Sequence, residues 1–158
     1  MRHIISIQLE NESGALSRVS GLFSARGFNI ESLTVAATND PTLSRMTIVS
    51  VGDDDIIEQI VKQVNKLVDV VKVTDLTATE HIERELLIVK ISISNNTQVD
   101  VDAQLDHFNA KVIDASEDAY IVELAGKSQK INDFLKAFSA EQIIEVSRTG
   151  VTGVCQKI

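Results

Sequence analysis

Asn11-Glu12-Ser13-Gly14-Ala15-Leu16 decides the reading of this chain. Upstream of it, Ile5, Ile7 and Leu9 alternate with Ser6, Gln8 and Glu10, the period of a half-buried strand. Downstream, Leu16, Val19, Leu22 and Phe23 recur at helical spacing. The hexapeptide is therefore expected to be a tight, glycine-containing turn from strand into helix. The first amides of a helix have no partners within it and carry a partial positive charge. A carboxylate fits there, and Asn11 and Asn29, one on each side, supply groups suited to an ammonium or a backbone. The junction reads as a site for a free amino acid, with no catalytic group beside it.

Beyond that helix, residues 30–37 are extended and rich in β-branched side chains, and Asn39-Asp40-Pro41 marks a turn. Residues 46–51 read as a strand closed by Gly52. Asp53-Asp54-Asp55 then marks a helix start, where carboxylates cap free amides. Ile56, Ile57, Ile60, Val61, Val64 and Leu67 form the apolar face of that helix, and residues 70–76 a further strand. The first half thus runs β-α-β-β-α-β.

The charged stretch 79–85 has no sustained apolar face and reads as a connection between domains that runs into the next strand. The second half repeats the order. Strand 86–93, a helix at 101–108, and strands 111–115 and 119–124 come first. A helix carrying Ile131, Phe134, Leu135 and Phe138 and a strand at 143–147 complete it. Gly52 and Gly126 fall at equivalent points, each closing a third strand. The expected fold is α+β, with two tandem ferredoxin-like domains at 1–78 and 79–158, each an antiparallel sheet with two helices on one face. Domains this small leave sheet edges and one sheet face to cover, so self-association is expected.

The 158 residues are 44% hydrophobic, enough for a packed core, and the formal charge is −8. That charge, with no clustered Lys or Arg, argues against a nucleic-acid partner. The single Cys155 cannot form an intramolecular disulfide and fits a reducing compartment. Met1-Arg2-His3 leads into a strand pattern rather than a signal peptide or a membrane span, so the expectation is cytoplasmic, with no membrane partner.

The stretch from Glu10 to Val19, and then Arg26-Gly27-Phe28-Asn29-Ile30-Glu31-Ser32-Leu33-Thr34-Val35, closely resembles the small regulatory subunits of acetohydroxyacid synthase (acetolactate synthase). The resemblance continues through Asp40-Pro41-Thr42-Leu43-Ser44-Arg45-Met46-Thr47 and Lys66-Leu67-Val68-Asp69-Val70. It extends more loosely through Glu83-Arg84-Glu85 and the run from Ile144 to Val151. It implies an N-terminal ACT domain that binds valine between two copies of itself. It also implies a large catalytic partner that uses thiamine diphosphate, Mg²⁺ and FAD, none of them held by this chain. The small subunit activates that partner and makes it sensitive to valine, the end product of the pathway. On this reading the ligand residues are Asn11, Gly14, Ala15, Leu16, Asn29 and Ile30, with the side-chain oxygen of Asn11 accepting from the ammonium. The second half has no equivalent site, because its first turn, Ser94-Asn95-Asn96-Thr97-Gln98-Val99-Asp100, lacks a glycine.

Other features read as structural. Asp53, Asp54 and Asp55 lack the glycine and distal glutamate of a calcium loop. His3, His81 and His107 show no metal-ligand spacing and read as surface histidines, and Cys155 as an unreactive thiol. Rival functions are a tandem-ACT regulator of another pathway and an acylphosphatase-like enzyme using Arg18, although no nucleophile–base pair accompanies that arginine. An RNA-binding sheet shares the element order but would need aromatic residues on its central strands.

Overall fold

The computed structural model describes residues 1–94 and 97–157. In it, the alternation around Ile5 forms β1 (Arg2–Glu10). Then come α1 (Ala15–Ala25), β2 (Ile30–Ala37), β3 (Leu43–Val51), α2 (Asp54–Val64) and β4 (Val70–Asp75). The strands hydrogen-bond in the order β2-β3-β1-β4. β1 and β3 run antiparallel in continuous register from Arg2↔Val51 to Glu10↔Leu43. Because side chains alternate along a strand, Ile5, Ile7 and Leu9 share a face with Met46 and Ile48. Ala15, Val19 and Phe23, four residues apart, bring α1 onto that face, and Ile57, Ile60 and Val64 bring α2.

The second half repeats the arrangement. It comprises β5 (His81–Ser92), α3 (Gln98–Phe108), β6 (Lys111–Ala115), β7 (Ala119–Gly126), α4 (Ser128–Lys136) and β8 (Ile143–Arg148). Its strand order is β6-β7-β5-β8. Leu87, Val89, Ile91, Val122 and Leu124 meet Val101, Leu105, Ile131 and Phe134 in one core. Phe108, Phe134 and Phe138 pack edge-to-face with centroids 5.3 and 5.1 Å apart. Glu85 on β5 is buried and accepts from Arg148 Nη2 at 3.0 Å and from Ser128 Oγ, at the start of α4, at 3.0 Å. The two tandem ferredoxin-like α+β units expected from the sequence are present. The turn at 94–100 that was expected to lack a ligand glycine includes Asn95 and Asn96, which lie outside the described residues.

Three features differ from the sequence reading. The charged stretch 79–85 is largely strand, because β5 begins at His81. A ninth strand, β9 (Thr152–Cys155), follows β8 and pairs with β5. The compact units are Met1–Glu83 with Val151–Ile158, and Arg84–Gly150, against the expected division at 78/79. The physical reason is a second small core. Ile4 and Val49, paired across the face turned away from the helices, are joined there by Leu76 and Val151. Gln156 N donates to Glu80 O at 2.8 Å, and a Cβ on Gly153 would stand 2.9 Å from Leu76 Cδ1. Part of the sheet face for which self-association was expected is therefore covered by the C-terminal segment of the same chain. A four-residue strand that itself contains Gly153 gives too short a pattern for periodicity to detect.

Val151 is buried beside Ile4, Val49 and Leu76. Val151→Ala should therefore destabilise the protein by about 1–3 kcal/mol, the scale of two lost methyl groups plus a cavity. A urea titration should show a lower midpoint at an unchanged slope. An unshifted midpoint would mean that the segment adds nothing to the first unit.

Candidate functional site

The strand-to-helix turn is built around Gly14, the N-cap of α1, at φ +86°. That left-handed conformation costs a residue with a Cβ, and glycine adopts it freely. Ala15 N donates to Glu12 O at 3.2 Å, and Arg18 N to Gly14 O at 2.9 Å. Between them, the amides of Leu16 and Ser17 have no acceptor among the described residues, and no side chain caps the helix.

The start of α2 is the opposite case. Asp53 Oδ1 accepts from Ile56 N at 2.9 Å, and Asp54 and Asp55 occupy the first turn. The capping role read for the aspartate run is thus seen at Asp53. The positive end of α2 is neutralised by its own carboxylates, whereas the first turn of α1 has no acidic residue.

Arg18, one turn into α1, pairs through Nε and Nη2 with Asp69, and Nη2 lies 2.9 Å from Oδ1. Asp69 is buried, and its backbone oxygen accepts from Glu10 N at 2.8 Å. The pair therefore ties together the end of β1, the first turn of α1 and the approach to β4. Hydrogen bonding from Arg18 holds the Asp69 carboxyl below the ordinary carboxylate range, and Asp69 in turn raises the Arg18 guanidinium. Nη1 of Arg18 has no acceptor among the described residues. It lies 2.9 Å from where a Cβ on Gly14 would stand, so the missing side chain leaves room for the guanidinium beside the open amides.

Asn11 adjoins this point. Its backbone N donates to Thr42 O at 2.7 Å, and its Nδ2 donates to Pro41 O at 2.9 Å. Asn11 is exposed, and its side-chain oxygen accepts from no group among the described residues. The turn at 38–42 that Asn11 grips is itself braced. Asp40 Oδ1 accepts from Thr42 N at 2.9 Å and from Thr42 Oγ1 at 2.6 Å, which lowers its pKa.

The six residues read as ligand contacts do not all meet within one chain. Asn11, Gly14, Ala15 and Leu16 lie where β1 ends, beside Leu43 of β3. Asn29 and Ile30 lie at the other end of the sheet, because Ile30 pairs with Ser50 and Ser50 with His3. At about 3.3 Å per residue, the rungs from His3 to Glu10 span roughly 23 Å. The Ala15 side chain faces the core, and Ile30 packs against the same core, half-buried. Leu16 is 42% exposed at the open turn. Arg18 and Asp69 complete the site, and no spacing rule joins positions 18 and 69. Only the fold brings them together. Among the described residues, no group of three or more His, Cys, Asp or Glu side chains is placed to hold a metal ion, and no helix is long and apolar enough to cross a membrane.

The family described as AHAS small subunit-like ACT domain matches residues 5–72, and the small subunit of acetolactate synthase family matches 84–157. The acetolactate synthase isozyme 3 small subunit of Salmonella typhimurium is 53% identical over 155 residues, covering 98% of this chain and 95% of its own. The chain belongs to the acetolactate synthase small-subunit family. The small subunit of Haemophilus influenzae is 49% identical over 155 residues, covering 98% of this chain and 95% of its own. The crystal structure of the small subunit from Thermotoga maritima superposes with a TM-score of 0.91 at 36% identity, over 100% of this chain and 99% of that one. As a homologue of the small regulatory subunit, the chain carries the family's ACT domain in its first half, where α1 has its open start.

Because Asp69 titrates below its unfolded value, the Arg18 pair stabilises the fold fully above the ordinary carboxylate range. That contribution is lost as the pH falls through the lowered value. The stability difference between wild type and Asp69→Asn should therefore hold steady between about pH 5 and 8 and shrink below about pH 4. Urea melts across that range check it, and a difference independent of pH would remove the ion pair from the account.

Proposed function

We propose that this chain is the regulatory subunit that activates a thiamine-diphosphate acetolactate synthase large subunit and makes it sensitive to valine, in branched-chain amino-acid biosynthesis. The observation that carries the proposal is the open start of α1 at Gly14, with Asn11 and Arg18 Nη1 beside it, in a chain of this family. A free amino acid presents a carboxylate and an ammonium. The amides of Leu16 and Ser17, with the Arg18 guanidinium, suit the first, and the side-chain oxygen of Asn11 suits the second.

Asn29 and Ile30 enter from a second copy. β2 is an edge strand whose one sheet neighbour among the described residues is β3, and Val35, Ala36 and Ala37 are exposed along it. Antiparallel pairing of two β2 strands about a twofold axis sets Ile30 of one copy beside Ala37 of the other. Asn29 of one copy then stands near the 38–42 turn and Asn11 of its partner copy, and valine lies between the two. Its small branched side chain meets Leu16 and Ile30. Leucine and isoleucine, each larger than valine by one methylene, bind more weakly by about 10- to 200-fold at most.

Asn11 holds the carbonyl of Pro41, so engagement of Asn11 by the ligand is transmitted to the 38–42 turn. That turn is the surface proposed to face the catalytic subunit. This chain supplies no group to the thiamine diphosphate, Mg²⁺ or FAD of that partner.

Reconstitution tests the proposal. The chain alone should form no acetolactate. Mixed with a cognate catalytic subunit it should raise the rate and make it fall with valine. Gly14→Asp should give an active complex that ignores valine. The new carboxylate would take up the open amides and the Arg18 Nη1 in the ligand's place. Valine affinity should fall by about 2–4 kcal/mol, roughly 30- to 1000-fold, read by titration calorimetry. No change of rate on mixing, or a Gly14→Asp variant that binds valine as wild type does, would overturn it.

A further inference from the structure

His3 was expected on the surface, yet its side chain is 97% shielded from solvent, with a relative exposure of 3%. It points to the helix side of β1, in phase with Ile5 and Ile7, where the sheet meets the start of α2. Its Nε2 lies 3.6 Å from Asp54 Oδ1 and its Nδ1 3.8 Å from Asp75 Oδ2. Neither nitrogen has a hydrogen-bond partner among the described residues. Asp75 Oδ1 accepts from Thr77 N at 2.9 Å, which leaves Oδ2 turned towards the imidazole.

These groups line a cavity of about 410 Å³, with Ile57 and Val61 as apolar wall, Glu58 as a further carboxylate, and Met1, whose ammonium is engaged with Gly52 O at 2.7 Å. That volume suits a small ligand. A carboxylate accepts and cannot donate, and an imidazole carries at most two N–H donors, against the three carboxylates of Asp54, Glu58 and Asp75. The cluster therefore holds more acceptors than donors. The missing chemistry is a compact cation with several N–H groups and an aliphatic body to lie against Ile57 and Val61.

We propose that this cavity binds a small aliphatic primary ammonium compound that carries no carboxylate, its nitrogen held by His3, Asp54 and Asp75. The site is distinct from the one proposed for valine. It lies between β1, β4 and the start of α2, whereas the Gly14 turn lies at the other end of β1. The carboxylate of an amino acid would here face Asp54, Glu58 and Asp75, so valine is excluded by charge.

The full-length chain titrated with n-butylammonium, followed by NMR of the imidazole resonances of His3, tests this. The expected result is a saturable shift with a half-point on the order of 1 mM, the scale for a ligand of a few heavy atoms. n-Butanol, of the same length and uncharged, should produce none. Asp54→Asn, at an exposed first-turn position, should weaken binding about threefold. His3→Gln, shown folded by its amide spectrum, should lose the saturable binding as read by calorimetry. A linear shift, an equal response to n-butanol, unchanged affinity in Asp54→Asn or in folded His3→Gln, or competition by valine would each overturn the proposal. None of these results bears on valine binding at Gly14, which is read separately.

Discussion

The register of β1 against β3 is the constraint on which the first unit depends. Pairing Ile5 with Ile48 and Ile7 with Met46 gathers the apolar side chains onto the face that α1 and α2 cover. A shift of one residue would turn each of them to the other side. The same register pairs Ile4 with Val49 on the outer face, where Leu76 and Val151 close a second small core. It also fixes the two ends of the sheet. Glu10 and Leu43 mark one end, beside the Gly14 turn, and Ser50 and His3 the other, beside Asn29. The functional account follows from that separation: a ligand that uses both asparagines needs two chains.

Electrostatics give each end its own character. At the Gly14 end, α1 begins with amides that no side chain caps, and Arg18 is held over the turn by buried Asp69. This suits an anionic group. At the other end, three aspartates crowd the start of α2, and buried His3 lies between Asp54 and Asp75. This suits a cation. Two helices that pack on one sheet through similar apolar stripes thus have opposite electrostatic character at their starts. The contrast lies in local residue choice, a glycine against an aspartate at the N-cap.

The sequence carried the fold where periodicity was strong. Ile5, Ile7 and Leu9 in β1, and the stripe from Ile57 to Val64 in α2, were legible because burial selects their spacing. The charged stretch from His81 was harder. Alternating charge conceals a strand that Gly153 and its neighbours cover from distant sequence. β9 was missed for the same reason, since only pairing with β5 explains it. In the candidate site, Gly14 was legible because a positive φ at a helix start calls for glycine. Arg18 and Asp69, fifty-one positions apart, become neighbours only once the strands are paired. His3 sits within an alternating pattern, and no pattern reveals that its two flanking partners are both carboxylates.

The central claim, that each valine site draws Asn11 and Gly14 from one chain and Asn29 from another, is tested most directly by mixing two defective variants. Gly14→Asp and Asn29→Ala should each form a complex that valine does not inhibit. In a dimer built from one copy of each, one site carries both defects and the other carries neither. The account predicts that co-refolded mixtures with the catalytic subunit regain valine inhibition in proportion to the mixed dimers formed. Mixtures that stay as insensitive as either parent, with mixed dimers demonstrated, would contradict it and confine the site to one chain.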